Sequence, residues 1–402
     1  MQGYRIHIVL ILFITVLPAI VFSGSIFSSS GIGLVSHNPG GREAGMGILG
    51  IGLADSGAVG SLNPALWAGT NITRFSGGLG MTRFSSKDEF TDDLSDDFNL
   101  RFLALGICLK PGLTLGFRFY PQSRIDYRWT VNKWLGDLKY EDFYIGKGGV
   151  TISSMILAGR LSPKIWAGGG VDMIFGNLST LWGVNFVSAY IADSEFTLSD
   201  QLFGLMPRIG FHYAIDDKSA LGIFAAAGTD VGVTEEYDYS YSDSTSSVDR
   251  NLRFPPVVGA GYSFPISSRV KGSIDFLWMG WKRDNQDIGE ASRLQQSQFL
   301  GFGMEVSPLE EPLAAFIQRL AYRAGINYRN LYYQYPNGQT VGEFSLSLGL
   351  GIPLKKSDGR LDFAFTLGKR GDLEVNNAEE FYFNFGLYIN TGEKWFVRKK
   401  RY

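Results

Sequence analysis

The sequence predicts an all-β fold: a transmembrane antiparallel β-barrel of about 14 strands with an N-terminal plug in the lumen. Two observations carry this. Apolar residues fall on every second position along residues 165–175, 270–281, 320–328, 346–354 and 381–389, which is strand periodicity. The intervening positions carry Lys271, Asp275, Arg319, Arg323, Asn327, Arg329, Arg360, Asp362 and Asn384. A sheet with one greasy and one charged face, closed on itself, suits a bilayer with lipid outside and a polar lumen.

A soluble sandwich would turn the apolar face inward, and the N-terminus argues against it. Arg5 precedes an apolar stretch, Ile8 to Phe22, of about 15 residues, which is signal-like and short for a spanning helix. Ser23 and Ser25 sit at the −3 and −1 positions of a cleavage before Ile26. Residues 1–25 therefore read as a signal peptide, and the expected location is the outer membrane of a Gram-negative-type bacterium. The single cysteine, Cys108, lies far from this segment, so no disulfide framework is expected. A net charge of −2 gives no reason to invoke nucleic acid.

Connections alternate in length. Short ones at 110–112, 162–164, 216–218, 266–268, 307–312 and 355–359 separate longer polar ones at 85–97, 123–140, 177–202, 230–253, 282–293, 334–339 and 369–379. That alternation fits both barrel ends on the short-turn, periplasmic side. The chain then divides into a signal (1–25), a plug (26–71), a barrel (72–392) and a basic periplasmic tail (393–402).

Glycine pairs such as Gly168 to Gly170, Gly259-x-Gly261, Gly301-x-Gly303 and Gly349-x-Gly351 lie in strand-like runs with no helix start to receive a phosphate. They are read as bends, bulges or close approach of something filling the lumen. Only His37 and His212 follow the signal, which is thin material for a nucleophile and base or for zinc. No catalysis, cofactor or metal is expected. The acidic run from Asp88 to Asp97 lacks calcium-loop spacing.

The plug is read from Arg42-Glu43-Ala44-Gly45-Met46-Gly47, Ala54-Asp55 and Asn63-Pro64-Ala65, in that order before the first strand. This arrangement resembles the N-terminal hatch of the FadL family of outer-membrane transporters for long-chain fatty acids and other hydrophobic compounds. The local resemblance covers about the first 50 mature residues; beyond them only the strand number and the placement of the ends match. It implies passive uptake of a hydrophobic small-molecule ligand, gated by plug residues Arg42, Gly45, Met46, Gly47, Asn63, Pro64 and Ala65. The same signature occurs in FadL-like barrels of the PorV and PorQ type, so the alternative is a structural or secretion-system barrel with a protein partner. Outer-membrane lipid and the assembly machinery are further implied partners.

Independently of the family, Pro64 fixes its own φ and biases Asn63 toward extended geometry. Arg42 is expected to meet a lumen acid such as Asp275 or Asp362. The lumen polar candidates are Arg118, Arg208, His212, Lys271, Asp275, Arg319, Arg323, Arg329, Arg360 and Asp362. The transport reading expects a hydrophobic pocket lined by aromatics of 129–143 and 181–203; the partner reading expects an exposed aromatic loop such as Tyr237 to Tyr241.

Overall fold

The structure is a computed structural model describing residues 24–89, 92–187, 191–240, 242–281, 293–309, 311, 313–335, 337–354 and 359–395. The signal assignment falls almost wholly outside these residues, as does most of the basic tail. Among the described residues no helix is long and apolar enough to cross a membrane.

Fourteen antiparallel strands close into a barrel. They are β1 (Thr73–Asp88), β2 (Asp92–Lys110), β3 (Leu113–Pro121, continuing as Ser123–Leu135), β4 (Leu138–Arg160), β5 (Ile165–Phe186), β6 (Ser194–Ala214) and β7 (Ala220–Ala226, continuing as Thr229–Tyr239). There follow β8 (Ser242–Phe254, continuing as Val257–Pro265), β9 (Val270–Met279), β10 (Arg293–Leu294, continuing as Ser297–Val306), β11 (Ala321–Gln334), β12 (Thr340–Leu354), β13 (Gly359–Asp372) and β14 (Ala378–Glu393). Closure is a ladder between β14 and β1 from Ala378↔Asp88 to Glu393↔Thr73, so no sheet edge is left at that join.

The period-2 pattern sets the faces. On β6, Leu205, Ile209 and Phe211 are exposed outward while Arg208 and His212 are buried. On β9, Ile274 and Phe276 face out and Asp275 is buried. The apolar belt thus points away from the lumen, as lipid exposure requires.

Most of the expected long loops are strand. Residues 123–140 form the two arms of a hairpin turning at Gly136 (φ +61°), and residues 177–202 and 230–253 likewise extend β5 to β8. Along these arms both faces of the hairpin are exposed, so the polar residues there carry no one-sided pattern, while Trp129, Thr130 and Val131 still favour extended backbone. Residues 85–97 contribute to β1 and β2, and residues 369–379 hold the end of β13, a short helix (Leu373–Asn376) and the start of β14. Tyr237 and Tyr239 belong to β7, where both pack on Phe196. They are part of a ladder and do not form the free aromatic loop expected of Tyr237 to Tyr241.

A seam interrupts the wall between β2 and β3. The β2–β3 ladder runs from Lys110↔Leu113 to Leu103↔Phe119 and stops. Pro121 follows, and a proline has no N–H to continue a ladder. Beyond it Ser123 and Arg124 pair with Val35 and Leu34 of the N-terminal segment.

Candidate functional site

Residues 24–70 run through the barrel interior from the long-hairpin end to the short-turn end. Ser25 begins the path: its hydroxyl donates to Glu380 (2.8 Å) and accepts from Arg370 (3.0 Å). Leu34 and Val35 pair at the seam. A single helical turn, α1 (Gly41–Gly45), packs on β12, β13 and β14. The path ends in a 3-10 turn, Pro64–Gly69, against β4, β5 and β6.

Glycines on the inward face admit this segment. A Cβ on Gly325 would stand 1.7 Å from the Met46 carbonyl oxygen, and one on Gly303 2.3 Å from it. Gly349 and Gly45 oppose each other, and the Ile51 carbonyl oxygen lies 2.0 Å from a Cβ placed on Gly222. Gly261 faces Gly52, and Gly168 faces Pro64. Gly259 faces both the Phe224 ring and Ile51 of the segment, whereas Gly170 crowds the neighbouring Met155 backbone instead.

Three arginines and three carboxylates then tie α1 and its following loop to the wall. Arg42 donates through Nε (3.0 Å) and a terminal nitrogen (2.7 Å) to the two oxygens of Glu305 on β10. Arg323 of β11 bridges Glu305 (2.7 Å) to Asp362 of β13 (2.6 Å). Arg360 bridges Asp362 (2.7 Å) to Asp55 (2.7 Å), back on the N-terminal segment. Arg42 therefore meets Glu305, and neither Asp275 nor Asp362. Asp275 instead accepts the backbone N–H groups of Leu49 (3.0 Å), Gly50 (2.6 Å) and Ile51 (3.3 Å).

A second cluster sits toward the long hairpins. Glu343 of β12 accepts from Arg329 (2.9 Å), Arg370 (2.6 Å) and Tyr382 (2.9 Å). Arg370 also pairs with Glu380, and Arg329 donates to the Val35 carbonyl (2.8 Å).

Asn63 holds the 3-10 turn. Its Oδ1 accepts from the Ala65 N–H (3.1 Å), and its Nδ2 donates to the carbonyls of Ile51 (2.9 Å) and Phe211 (3.1 Å). Pro64 occupies the first position of the turn, where its missing N–H costs nothing. Ala65 is fully buried.

Other candidates separate. Arg208 pairs with Asp172 (2.5 Å) and donates to the Leu62 carbonyl (3.1 Å). Arg118 is buried across the Tyr120 ring (3.9 Å) and donates to the Asn38 carbonyl (2.6 Å). His212 stacks on Trp166, ring centroids 4.6 Å apart. Lys271 is exposed near the short-turn end of β9. Arg319 leaves the group: it stands in a 3-10 turn (Phe316–Arg319) of the β10–β11 connection, because the apparent alternation was carried one turn before the strand begins at Ala321.

Glu305, Asp172, Glu343, Arg370 and Glu380 were missed, while Asp55 entered only as part of the plug pattern. Parity was the available signal for three of them: Glu305 shares the phase of Gly301 and Gly303, Asp172 that of Gly168 and Gly170, and Glu343 that of Gly349 and Gly351. The segment also carries two unlike carboxyls. Burial pushes the Glu43 carboxyl up to about 7, with Asp55 adding to it and Arg42 opposing. Burial works against the Asp55 charge too, but Arg360 and Arg42 outweigh it and hold Asp55 below the usual carboxylate range.

Two cavities flank the Leu34–Asn38 stretch. One, of about 230 Å³, is a mixed chamber in which Ser345, Thr366 and Asn384 stand beside Leu49, Phe84 and Phe299. The other, of about 660 Å³, lies at the seam, lined by Leu34, Leu100, Pro121, Ile125, Thr151 and Phe175 among polar neighbours. Arg124 and Asp97 pair across that seam at 2.8 Å. Among the described residues the expected aromatic lining of the long hairpins includes Trp129 and Trp182, which are exposed. They stand on the outside of hairpin arms whose both faces are solvated.

A family model described as BamG matches residues 4–402. The chain belongs to the BamG family. This BamG-family barrel has the fold of the FadL-type channels. It is similar to a FadL homologue of Pseudomonas aeruginosa (TM-score 0.59, 10% identity, covering 90% of this chain and 100% of that one). The toluene transporter TbuX of Ralstonia pickettii gives a TM-score of 0.57 at 14% identity, covering 88% and 98%. The monoaromatic hydrocarbon channel CymD gives 0.56 at 15%, covering 92% and 99%. No curated protein matches the sequence.

Proposed function

We propose that this BamG-family barrel sits in the outer membrane, short turns in the periplasm, and passes a hydrophobic small molecule through the β2–β3 seam beside a lumenal plug formed by residues 26–71. The observation that carries it is the cavity of about 660 Å³ where the ladder stops, a volume suited to a small ligand. The fold shared with the toluene and monoaromatic hydrocarbon channels supports the same class of substrate. No chemistry is required: the seam offers Leu34, Leu100, Ile125 and Phe175 beside the charged Arg101, Arg124, Asp126 and Lys147, and the plug closes the water-filled route.

In this reading the plug does not swing freely. The ion pairs joining Arg42 and Asp55 to the wall favour a fixed plug, and the Leu34–Asn38 stretch beside the seam is held as well, by its pairing with Ser123 and Arg124 and by the donors Arg329 and Arg118. Uptake of labelled toluene or palmitate into proteoliposomes tests it. Wild type is expected to give saturable uptake that Thr151→Trp, which fills the cavity, reduces at least tenfold. Equal uptake by both proteins, each shown folded by heat-modifiable gel mobility, refutes the route.

The exposed Trp129 (47%), Trp134 (67%) and Leu135 (69%) of the β3–β4 hairpin favour a second reading. An apolar tip held in water is the kind of surface a protein partner covers. A barrel of this second type has no transport of its own and gives no uptake above empty vesicles.

A further inference from the structure

The apolar belt does not stop at the short-turn end. Leu161 (70% exposed), Ile215 (38%) and Ile266 (50%) carry it into three successive turns. The β10–β11 connection, residues 307–320, goes further. Its 3-10 turn presents Phe316 and Ile317, exposed by 61% and 64%, and Leu313 before it is exposed by 99%.

The described residues of this connection are fastened by hydrogen bonds. The Ser307 N–H donates to the Arg269 carbonyl (2.8 Å) and the Leu309 N–H to the Gln318 carbonyl (2.8 Å). The Tyr322 hydroxyl donates to the Ile317 carbonyl (2.8 Å). Tyr322 is itself an outward residue of β11, 43% exposed, so the turn is fastened to the lipid-facing side of the wall. Arg319 lies at its end, half-buried.

We infer that residues 313–319 form a foot lying in the periplasmic phospholipid leaflet, with Leu313, Phe316 and Ile317 among the acyl chains and Arg319 at the headgroups. Continuity with the belt through Tyr322 decides for lipid over a protein partner. Apolar side chains with a flanking arginine are the composition of an interfacial anchor. A long basic stem reaches headgroups while its methylenes stay in apolar surroundings.

The test uses the full chain in phosphatidylcholine vesicles, with Cys108→Ser as background and an NBD fluorophore on Leu313→Cys. Lys218→Cys, beside Asp216 and Asp217 at the tip of the β6–β7 turn, is the reference. Quenching by a shallow doxyl-labelled lipid is expected to be at least twofold stronger at 313 than at 218, with iodide access correspondingly weaker. Arg319→Gln, which spares the apolar contacts, is expected to leave the 313 signal and fold intact but reduce quenching by a headgroup-labelled lipid at a probe on residue 318. Iodide access at 313 equal to that at 218, with no doxyl quenching, overturns the inference and leaves the patch as a site for a periplasmic protein.

Discussion

Arg42 and Glu305, 263 positions apart in sequence, meet in a two-pronged ion pair inside the barrel. Bidentate arginine–carboxylate pairs fix orientation as well as distance, so this contact sets how α1, packed on β12, β13 and β14, is tied to β10. Arg42→Ala leaves Glu305 with Arg323 but removes the link to α1. The expected cost to docking is on the order of 3 kcal/mol. Hydrogen exchange at residues 44–51 reports it, expected to accelerate about a hundredfold while the strands stay protected.

Gly325→Ala places a methyl 1.7 Å from the Met46 carbonyl oxygen. Backbone lies on both sides, so the segment must move. Gly159→Ala meets nothing closer than Leu113 at 3.6 Å and serves as the control. Both barrels are expected to assemble, but only Gly325→Ala opens residues 45–50 to protease. Equal protection of the two variants contradicts the close approach.

Asp275→Asn replaces a carboxylate that receives three backbone N–H groups. Hydrogen bonds to a charged acceptor are worth more than neutral ones, and losing the charge is expected to cost about 2 kcal/mol. The amides of Leu49 to Ile51 should then exchange about thirtyfold faster, with residues 64–69 unaffected.

Glu43 makes docking pH-dependent. Its carboxyl holds a proton up to about 7 when buried, against an ordinary 4.5. Docking therefore binds a proton: the contribution is complete below about 4.5 and is lost as pH rises through about 7, on the order of 3 kcal/mol in all. Asp55 has the opposite sign, being held low, and its contribution is lost only in stronger acid. Protection of the amides of residues 41–50, taken relative to their intrinsic exchange at each pH, is expected to fall between pH 5 and about 8. Glu43→Gln should flatten that profile; an unchanged profile excludes Glu43 as its source.

The barrel was legible because its outward face alternates without interruption, as in Leu205, Ile209 and Phe211. Strand ends were not, because above the membrane residues such as Asn132 and Lys133 are wetted on both faces and alternation disappears. Arg42 was singled out and its partner misassigned: sequence parity places Glu305, Asp275 and Asp362 all inward, and only the register of β10 against β11 to β13 puts Glu305 beside α1. The seam had one sequence cue, Pro121, which by itself does not distinguish a bulge from an end of pairing.

Simultaneous flux of ions and of a labelled hydrophobic compound across the same proteoliposomes tests the central claim most directly. A plugged lumen with a side opening predicts saturable entry of toluene or palmitate with no ion leak above empty vesicles. Ion flux accompanying that entry, or no hydrophobic entry from folded protein, contradicts it.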